Sequence, residues 1–490
     1  MRPNLRFPAA DVAWFAATLL LAACSSEAPT GTLLKADRVT ASSWTDTVSV
    51  CHRTLLRDAV LEIPGSALPA HLAQGDYPTT LIVSHTSDPS DDGIHFRRIG
   101  DALDAARTGR LARGESVAAA CRITILVSDG TYQGSVNATA SADIEQFPFI
   151  VDVPDITLRG ALSMQLDEAG RATGEGTSTA VTTLTPIDPM PVIAGVSTPI
   201  IIANAHPGGS AGNGLTVEGF VFQSGHDPAV DAGGQGVLAV RATGLTIRGN
   251  RFEGGFTESI DLRGASGDVV HNHLSGTAGT CDICLAGPGR YRARGNRLLA
   301  GGIPGIVAAG PIGLHVPNGV EPFVLPATAE TFAEIVNNEI SDHTRVPVGA
   351  GIRLDALGPG APNVVTTLHA DIRRNHLVNN RFGIIIHAGF PVAGTALRGD
   401  IDATIRGNTF DQICQAKLLV SFSRHTTALG LTTAPYFLNT TYRLTLGRNL
   451  DWSEAWFGDP DGFGNQLIVN GQLIANGIRQ FYDPVGCPGD

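Results

Sequence analysis

An eight-residue pattern returns along this chain with an asparagine at a fixed place in it. Leu215–Phe222 reads LTVEGFVF and Leu245–Phe252 reads LTIRGNRF, and the pattern recurs at Val269–Leu274, Tyr291–Leu298, Ile335–Ile340, Ile372–Leu377 and Ala403–Phe410. Ile156–Gly160 is an earlier relative. Asn250, Asn272, Asn296, Asn338, Asn375 and Asn408 hold the shared position, with Phe220 there in the first full copy. The first three asparagines are 22 and 24 residues apart. Each unit alternates apolar and polar residues, breaks at a residue tolerant of left-handed backbone angles, and alternates again. Period two means strand. One such coil cannot bury its own apolar face, but stacked coils can. Asparagines at one corner of every coil can then form a ladder of side-chain hydrogen bonds along the stack. The later intervals of 42, 37 and 33 residues imply loops inserted between strands. Residues 161–213 and Ala300–Thr331 are the longest insertions, and long loops on a rigid scaffold are where function usually resides.

This pattern resembles the right-handed parallel β-helix of the pectin-lyase type, so the expected fold is an all-β solenoid. Leucine-rich repeats share the period but need a leucine density missing here, and propeller blades need about 40 residues. The segment Asp91–Ala106, followed by Ile123–Tyr132, resembles the opening of many extracellular β-helix proteins, including an uncharacterised family found at their N-termini. That resemblance implies a helix across the open end of the stack. Ile99, Leu103 and Ala106 recur at helical spacing and suit such a cap. The expected organisation is a signal over 1–23, a tether over 24–45, a cap and first strand over 46–135, coils over 136–425 and a closing segment over 426–490.

The N-terminus carries Arg2 and Arg6 ahead of an apolar run, Val12–Ala23, too short to span a bilayer, which takes about 20 residues. It fits the core of a secretory signal. The run ends in Leu21-Ala22-Ala23-Cys24, which resembles the lipobox of bacterial lipoproteins. The resemblance implies acylation of Cys24, and Ser25-Ser26 resembles the pattern sorted to an outer membrane. The Ser/Thr-rich stretch that follows suits a tether. The formal net charge of −12 disfavours nucleic acid and anionic membrane surfaces as partners recognised through charge. Six further cysteines, Cys51, Cys121, Cys281, Cys284, Cys414 and Cys487, make an even set for an oxidising compartment. Proximity favours Cys281–Cys284; Cys414–Cys487 could close the last coils, and Cys51–Cys121 would then tie the cap. The C-x-x-C lacks the further ligands a zinc site needs.

The resemblance implies a superfamily of pectate and alginate lyases, polygalacturonases and pectin esterases beside proteins without activity, and a fold alone settles no function. No Gly-His-Gly occurs, the single Asp-Asp is Asp91-Asp92, and the pectin-esterase pattern is represented by Gly130-Thr-Tyr132 alone. Aligning the strand after each asparagine corner gives Ile260–Arg263, Ile283–Ala286, Leu314–Pro317, Ile352–Asp355, Ile384–His387 and Leu418–Ser421. Their second and fourth residues point outward. With coils about 4.8 Å apart, His315, Arg353, Asp355 and His387 gather on one face, with Ile306-Val-Ala as an alternative strand in the coil of His315. A guanidinium, a carboxylate and two imidazoles suit binding a uronic sugar or abstracting its C5 proton, so these four are the candidate catalytic residues. Trp452 and Trp456, with Tyr436 and Tyr442 nearby in the chain, could stack on sugars or close the solenoid. His271 and His273 flank Asn272 on alternate positions, a poor metal pair. Asp459–Gly462 resembles a calcium loop without its full spacing, so no cofactor is expected and Ca²⁺ has no complete motif. Two readings stand: a surface protein that binds or cleaves polysaccharide (a lyase or a glycoside hydrolase in the latter case), or a non-catalytic adhesion or spacer module.

Overall fold

The computed structural model describes residues 47–53, 58–85, 92–115, 119–137, 144–176, 179–188, 190, 192–193, 196–204, 212–226, 233–279, 281–299, 304–309, 328–344, 349–355, 365–387, 398–421, 440–447, 450, 455–457 and 466–474. They build a right-handed parallel β-helix. Three sheets run along it, and each coil from Ile123 to Ser421 gives one strand to each. Leu245–Arg248 lies in the first sheet, Arg251–Glu253 in the second and Glu258–Arg263 in the third. The next coil repeats the order with Gly267–Val270, His273–Ser275 and Cys281–Ala286.

The corner between the first and second sheets explains the repeat. The residue before each asparagine takes a left-handed conformation: Gly249 at φ 62°, His271 at 55°, Gly295 at 63°, Asn337 at 56°, Arg374 at 58° and Gly407 at 62°. That bend turns the chain and aims the asparagine along the axis. Asn272 Oδ1 accepts from the backbone N and from Nδ2 of Asn250, at 3.0 and 3.1 Å. Asn272 Nδ2 donates to Ile247 O and to Asn296 Oδ1, at 2.8 and 3.1 Å. The same bonds link Asn296 to Asn338, Asn338 to Asn375 and Asn375 to Asn408. At the upstream end Phe220 N donates to Asn250 Oδ1 at 3.1 Å, which is how a phenylalanine occupies the first rung. All six asparagines are buried and their amides engaged. The asparagines stand in single file, as the spacing requires.

Inside the coils, rows of one residue per turn fill the core. Ile247, Val269, Ala293, Ile335, Ile372 and Ile405 line the first sheet. Ile260, Ile283, Ile306, Ile352, Ile384 and Leu418 line the third. Each fully buried aliphatic contributes about 1.5–3 kcal/mol relative to exposure. Stacking extends beyond the asparagine coils in both directions. Thr80–Val83 and Ile123–Val127 belong to the first sheet, before residue 136. Thr441–Leu446 and Gln466–Val469 continue it past residue 425, and Ala455–Phe457 continues the third. The first two of these strands lack the corner asparagine, so the repeat does not announce them.

Part of the long insertion after Gly160 is an antiparallel hairpin, Met164–Leu166 with Ala172–Gly176. It lies on the asparagine corner, where Ala172 N donates to Gly295 O at 2.9 Å and Asn337 Nδ2 donates to Ala169 O at 2.6 Å. The N-terminal cap consists of Thr47–Arg53 paired antiparallel with Asp58–Pro64 and with Tyr77–Pro78, and of the helix Ile99–Ala112. The helix buries Ile99, Ala102, Leu103 and Ala106. The Glu145 carboxylate accepts from the N–H of Ile99 and Gly100, at 2.6 and 3.2 Å, at the helix start. A disulfide joins Cys51 to Cys121, and another joins Cys281 to Cys284. Cys414 is disulfide-bonded, while Cys487 and Cys24 lie outside the described residues. No helix among the described residues is long and apolar enough to cross a membrane.

Candidate functional site

The three nine-residue strands Thr328–Val336, Val365–Arg373 and Arg398–Arg406 widen the first sheet. Alternation turns Ala333, Ile335, Ala370 and Ile372 inward and leaves their neighbours outward. In-register pairing then lines the outward residues up across coils. One row runs Arg290, Phe332, His369, Asp402, Arg443. A second runs Asp268, Arg292, Glu334, Asp371, Thr404, Thr445. Together they floor an open groove of about 750 Å³.

The first row is a continuous stack. The Arg290 guanidinium lies 4.1 Å from the centre of the Phe332 ring. Phe332 stacks on His369 with centroids 4.7 Å apart and planes 13° from parallel. His369 sits between two carboxylates, with Nδ1 3.6 Å from Asp402 and Nε2 3.5 Å from Glu330. Asp402 in turn meets Arg443 at 3.4 Å. In the second row Arg292 reaches Glu334 at 3.1 Å and Asp268 at 3.8 Å. Arg373 bridges Asp371, at 2.8 Å, and Glu334. The hydrogen bond to Asp371 raises the Arg373 guanidinium still further above its ordinary range. An imidazole between two carboxylates can hold or move a proton. Both faces of Phe332 are taken by its neighbours, so its edge, not its face, meets the groove.

The third sheet arranges the four candidate residues differently. Arg353 and Asp355 are adjacent on Ala350–Asp355 and paired, Nε at 3.0 Å and a terminal nitrogen at 2.7 Å. They are 8% and 2% exposed, so neither offers an open face. His387 stands opposite Asp355 in the backbone ladder, and its side chain is outside the described part. His315 lies outside the described residues. The strand of that coil is Pro304–Ala309 rather than Leu314–Pro317, so Val307 and Ala309 are the register partners of Arg353 and Asp355. Ile306 decides the register, because it completes the buried row between Ile283 and Ile352. Trp452 and Asp459–Gly462 lie outside the described residues, as does Tyr436. Trp456 pairs with Leu419 in the third sheet, with only its backbone described, and Tyr442 is buried in the core. His271 serves the left-handed corner. Burial first, then Arg297 and Arg251, lower His273 to about 4, so its ring is neutral at ordinary pH.

The groove residues carry a signal in the sequence. Arg290, Phe332, His369 and Asp402 each stand six positions before an asparagine of the ladder, and Arg292, Glu334 and Asp371 four positions before. Reading the strand ahead of each corner as a column finds them. Their types differ from coil to coil, so no repeated letter marks them.

No family model matches the chain, and no curated protein matches it. Among solved structures it is similar to an alginate lyase from Paenibacillus sp. str. FPU-7, at 13% identity and a TM-score of 0.31, over 69% of this chain and 91% of that one. It is also similar to the tailspike protein gp49 of Acinetobacter baumannii bacteriophage Fri1, a capsular polysaccharide depolymerase, at 10% identity and a TM-score of 0.31, over 81% of this chain and 63% of that one. A third is the catalytic domain of a GH87 alpha-1,3-glucanase, at 10% identity and a TM-score of 0.32, over 79% of this chain and 67% of that one. Likeness at this level assigns no activity.

Proposed function

We propose that the protein binds a segment of uncharged, hydroxyl-rich polysaccharide along the groove of the first sheet. The carrying observation is the stack Arg290–Phe332–His369–Asp402–Arg443 with the paired row beside it. Three arginines and four carboxylates line this groove, held against one another on a rigid sheet. Side chains already ordered lose little entropy on binding. Guanidinium N–H groups and carboxylate oxygens with capacity beyond their ion pairs suit sugar hydroxyls, which both donate and accept. A polyanion would meet more carboxylates than guanidinium groups. Binding rather than cleavage is the reading favoured, because Arg373 occupies the neighbouring carboxylates Glu334 and Asp371. The buried Arg353–Asp355 pair is not part of this reading. The lipobox-like stretch ending at Cys24 supports placing the protein on a bacterial outer membrane through a lipid anchor.

A panel of neutral and uronate polysaccharides presented to the purified mature chain tests the groove. The expected outcome is retention on a neutral glycan, weakened about tenfold, or 1.4 kcal/mol, by Arg290→Ala with His369→Ala. Unsaturated-uronide absorbance is expected to stay flat. Equal retention by the groove variant, or none by the native chain, removes the proposal and leaves a rigid spacer. In cells, a fatty-acid probe should label the native protein and not Cys24→Ala; equal labelling of both would rule out the anchor.

A further inference from the structure

The N-terminal cap brings together two imidazoles and a carboxylate that the groove does not involve. His52 belongs to the strand Thr47–Arg53, His71 to the short helix Leu68–Ala73, and Asp76 immediately precedes Tyr77–Pro78. Their donor atoms all lie within 4.8 Å of one another, the one such group of three or more metal-capable side chains among the described residues. Asp76 Oδ2 is 2.8 Å from Nδ1 of His52 and 2.7 Å from Nδ1 of His71. The two rings meet edge-on at 76°, approaching one oxygen from different directions. The other carboxylate oxygen accepts from Arg53 N at 3.3 Å, which fixes the orientation of the group. Asp76 is 5% exposed, while the histidine side chains are 29% and 21% exposed. The carboxylate therefore forms the closed floor of the cluster and the imidazoles its partly open rim.

We propose that His52, His71 and Asp76 are the protein ligands of a divalent first-row transition cation, Zn²⁺ foremost, with water completing the shell on the open side. Two imidazole nitrogens and one carboxylate oxygen suit zinc and its neighbours; calcium and magnesium take oxygen shells. Metal–ligand bonds near 2.0–2.2 Å require the Asp76 oxygen to part from each imidazole nitrogen by less than an ångström from hydrogen-bonded contact. In the bound form each ring offers its Nδ1 lone pair to the ion and carries its proton on Nε2. The ligands come from three separate segments of the cap, His52 next to the Cys51–Cys121 disulfide, and one ion would fasten all three.

The mature chain, stripped with a chelator, is titrated with Zn²⁺ by calorimetry and with Co²⁺ by visible absorption. The expected results are one equivalent bound, a tetrahedral or five-coordinate Co²⁺ spectrum, and a melting temperature raised by Zn²⁺. His52→Ala with His71→Ala should lose all three, and His376→Ala, in a coil remote in sequence, should keep them. His71→Gln, with circular dichroism as the control, covers the case in which the double variant does not fold. No equivalent taken up by the native chain, or the same uptake by His71→Gln, would overturn the proposal.

Discussion

The cap and the coils are parts of one solenoid fixed by opposite means. In the coils the recurring polar element is neutral and identical: every asparagine from Asn250 to Asn375 hands its amide to the next. In the cap the polar elements are charged and each is used once. Arg110 is fully buried; it donates to Tyr77 Oη at 2.6 Å, Glu115 at 2.8 Å and Asp155 O at 3.2 Å. Its guanidinium also lies 5.0 Å from the centre of the Tyr77 ring, with Arg113 at 5.1 Å. A repeating scaffold can solve one corner and copy the answer. The end of the stack has no neighbour to copy, so it needs a single network that neutralises itself. The cap network is therefore a part that responds to charge and pH, and the asparagine ladder is a part that does not.

Removing the centre of the cap network should have the largest effect. Arg110→Ala leaves Tyr77 Oη and Glu115 without their shared donor and opens a cavity. Breaking a buried pair on one side costs about 3–5 kcal/mol, and the retained contact of Arg113 with Glu115, at 3.2 Å, places the expected loss near the lower end. Amide exchange read by mass spectrometry should show it as lost protection in residues 99–112, with residues 250–299 unchanged. Equal loss in both regions would mean that cap and coils are not separate in the way described.

The same contrast explains what could be read in advance. The ladder was legible because the constraint recurs in every coil, so Asn250, Asn272 and Asn296 had to share a residue type. Ile99, Leu103 and Ala106 were legible because an amphipathic helix repeats too. Arg110 carries no such mark: an arginine on a helix is ordinarily a surface residue, and its burial depends on Tyr77 and Glu115 arriving from elsewhere. His52, His71 and Asp76 meet through a fold of the cap that no periodicity encodes. For His315 spacing alone suggests a strand, inside a long Gly- and Pro-rich insertion where spacing is the weakest guide. The outward row from Arg290 to Arg443 was readable as a column but not as a motif, because selection for a surface does not repeat one residue type.

The next largest effect is a titration confined to the cap. Burial raises the Glu145 carboxyl to about 7, against the N–H groups of Ile99 and Gly100 and the charge of Arg98, which lower it; Asp101 adds to the rise. Its ordinary value is 4.5, so the folded state holds the proton more tightly than the unfolded state. The stabilising contribution is full below 4.5 and is lost as pH rises through about 7. The shift corresponds to at most on the order of 3 kcal/mol. Protection of residues 99–112 should fall between pH 4.5 and pH 7, and Glu145→Gln should remove this component. The asparagine ladder has no comparable dependence, since an amide does not titrate, while His273 in the coils, lowered to about 4 by burial and then by Arg297 and Arg251, acts with the opposite sign, its contribution being lost as pH falls from 6.5. A profile unchanged by Glu145→Gln would assign the dependence to another group.

The smallest effect tests the coils alone. Arg374 holds a left-handed corner at φ 58°, where the equivalent residues of other coils are Gly249, Gly295 and Gly407. A side chain in that conformation costs about 1–2 kcal/mol, and glycine returns about 0.5–1 kcal/mol of it as unfolded-state entropy. Arg374→Gly should therefore stabilise the protein by up to about 1 kcal/mol, read as a higher urea midpoint with an unchanged slope. Gly295→Ala runs the substitution in reverse and should be worse than the backbone term alone. Its new methyl would lie 2.8 Å from Gly170 O, on the hairpin that packs over this corner, and 2.5 Å from the His271 ring. Glycine is thus required at Gly295, where the hairpin backbone closes on the corner, and only preferred where the corner is open, as at Arg374. A lower midpoint for Arg374→Gly would show that the arginine side chain contributes more to its coil than the strain it imposes.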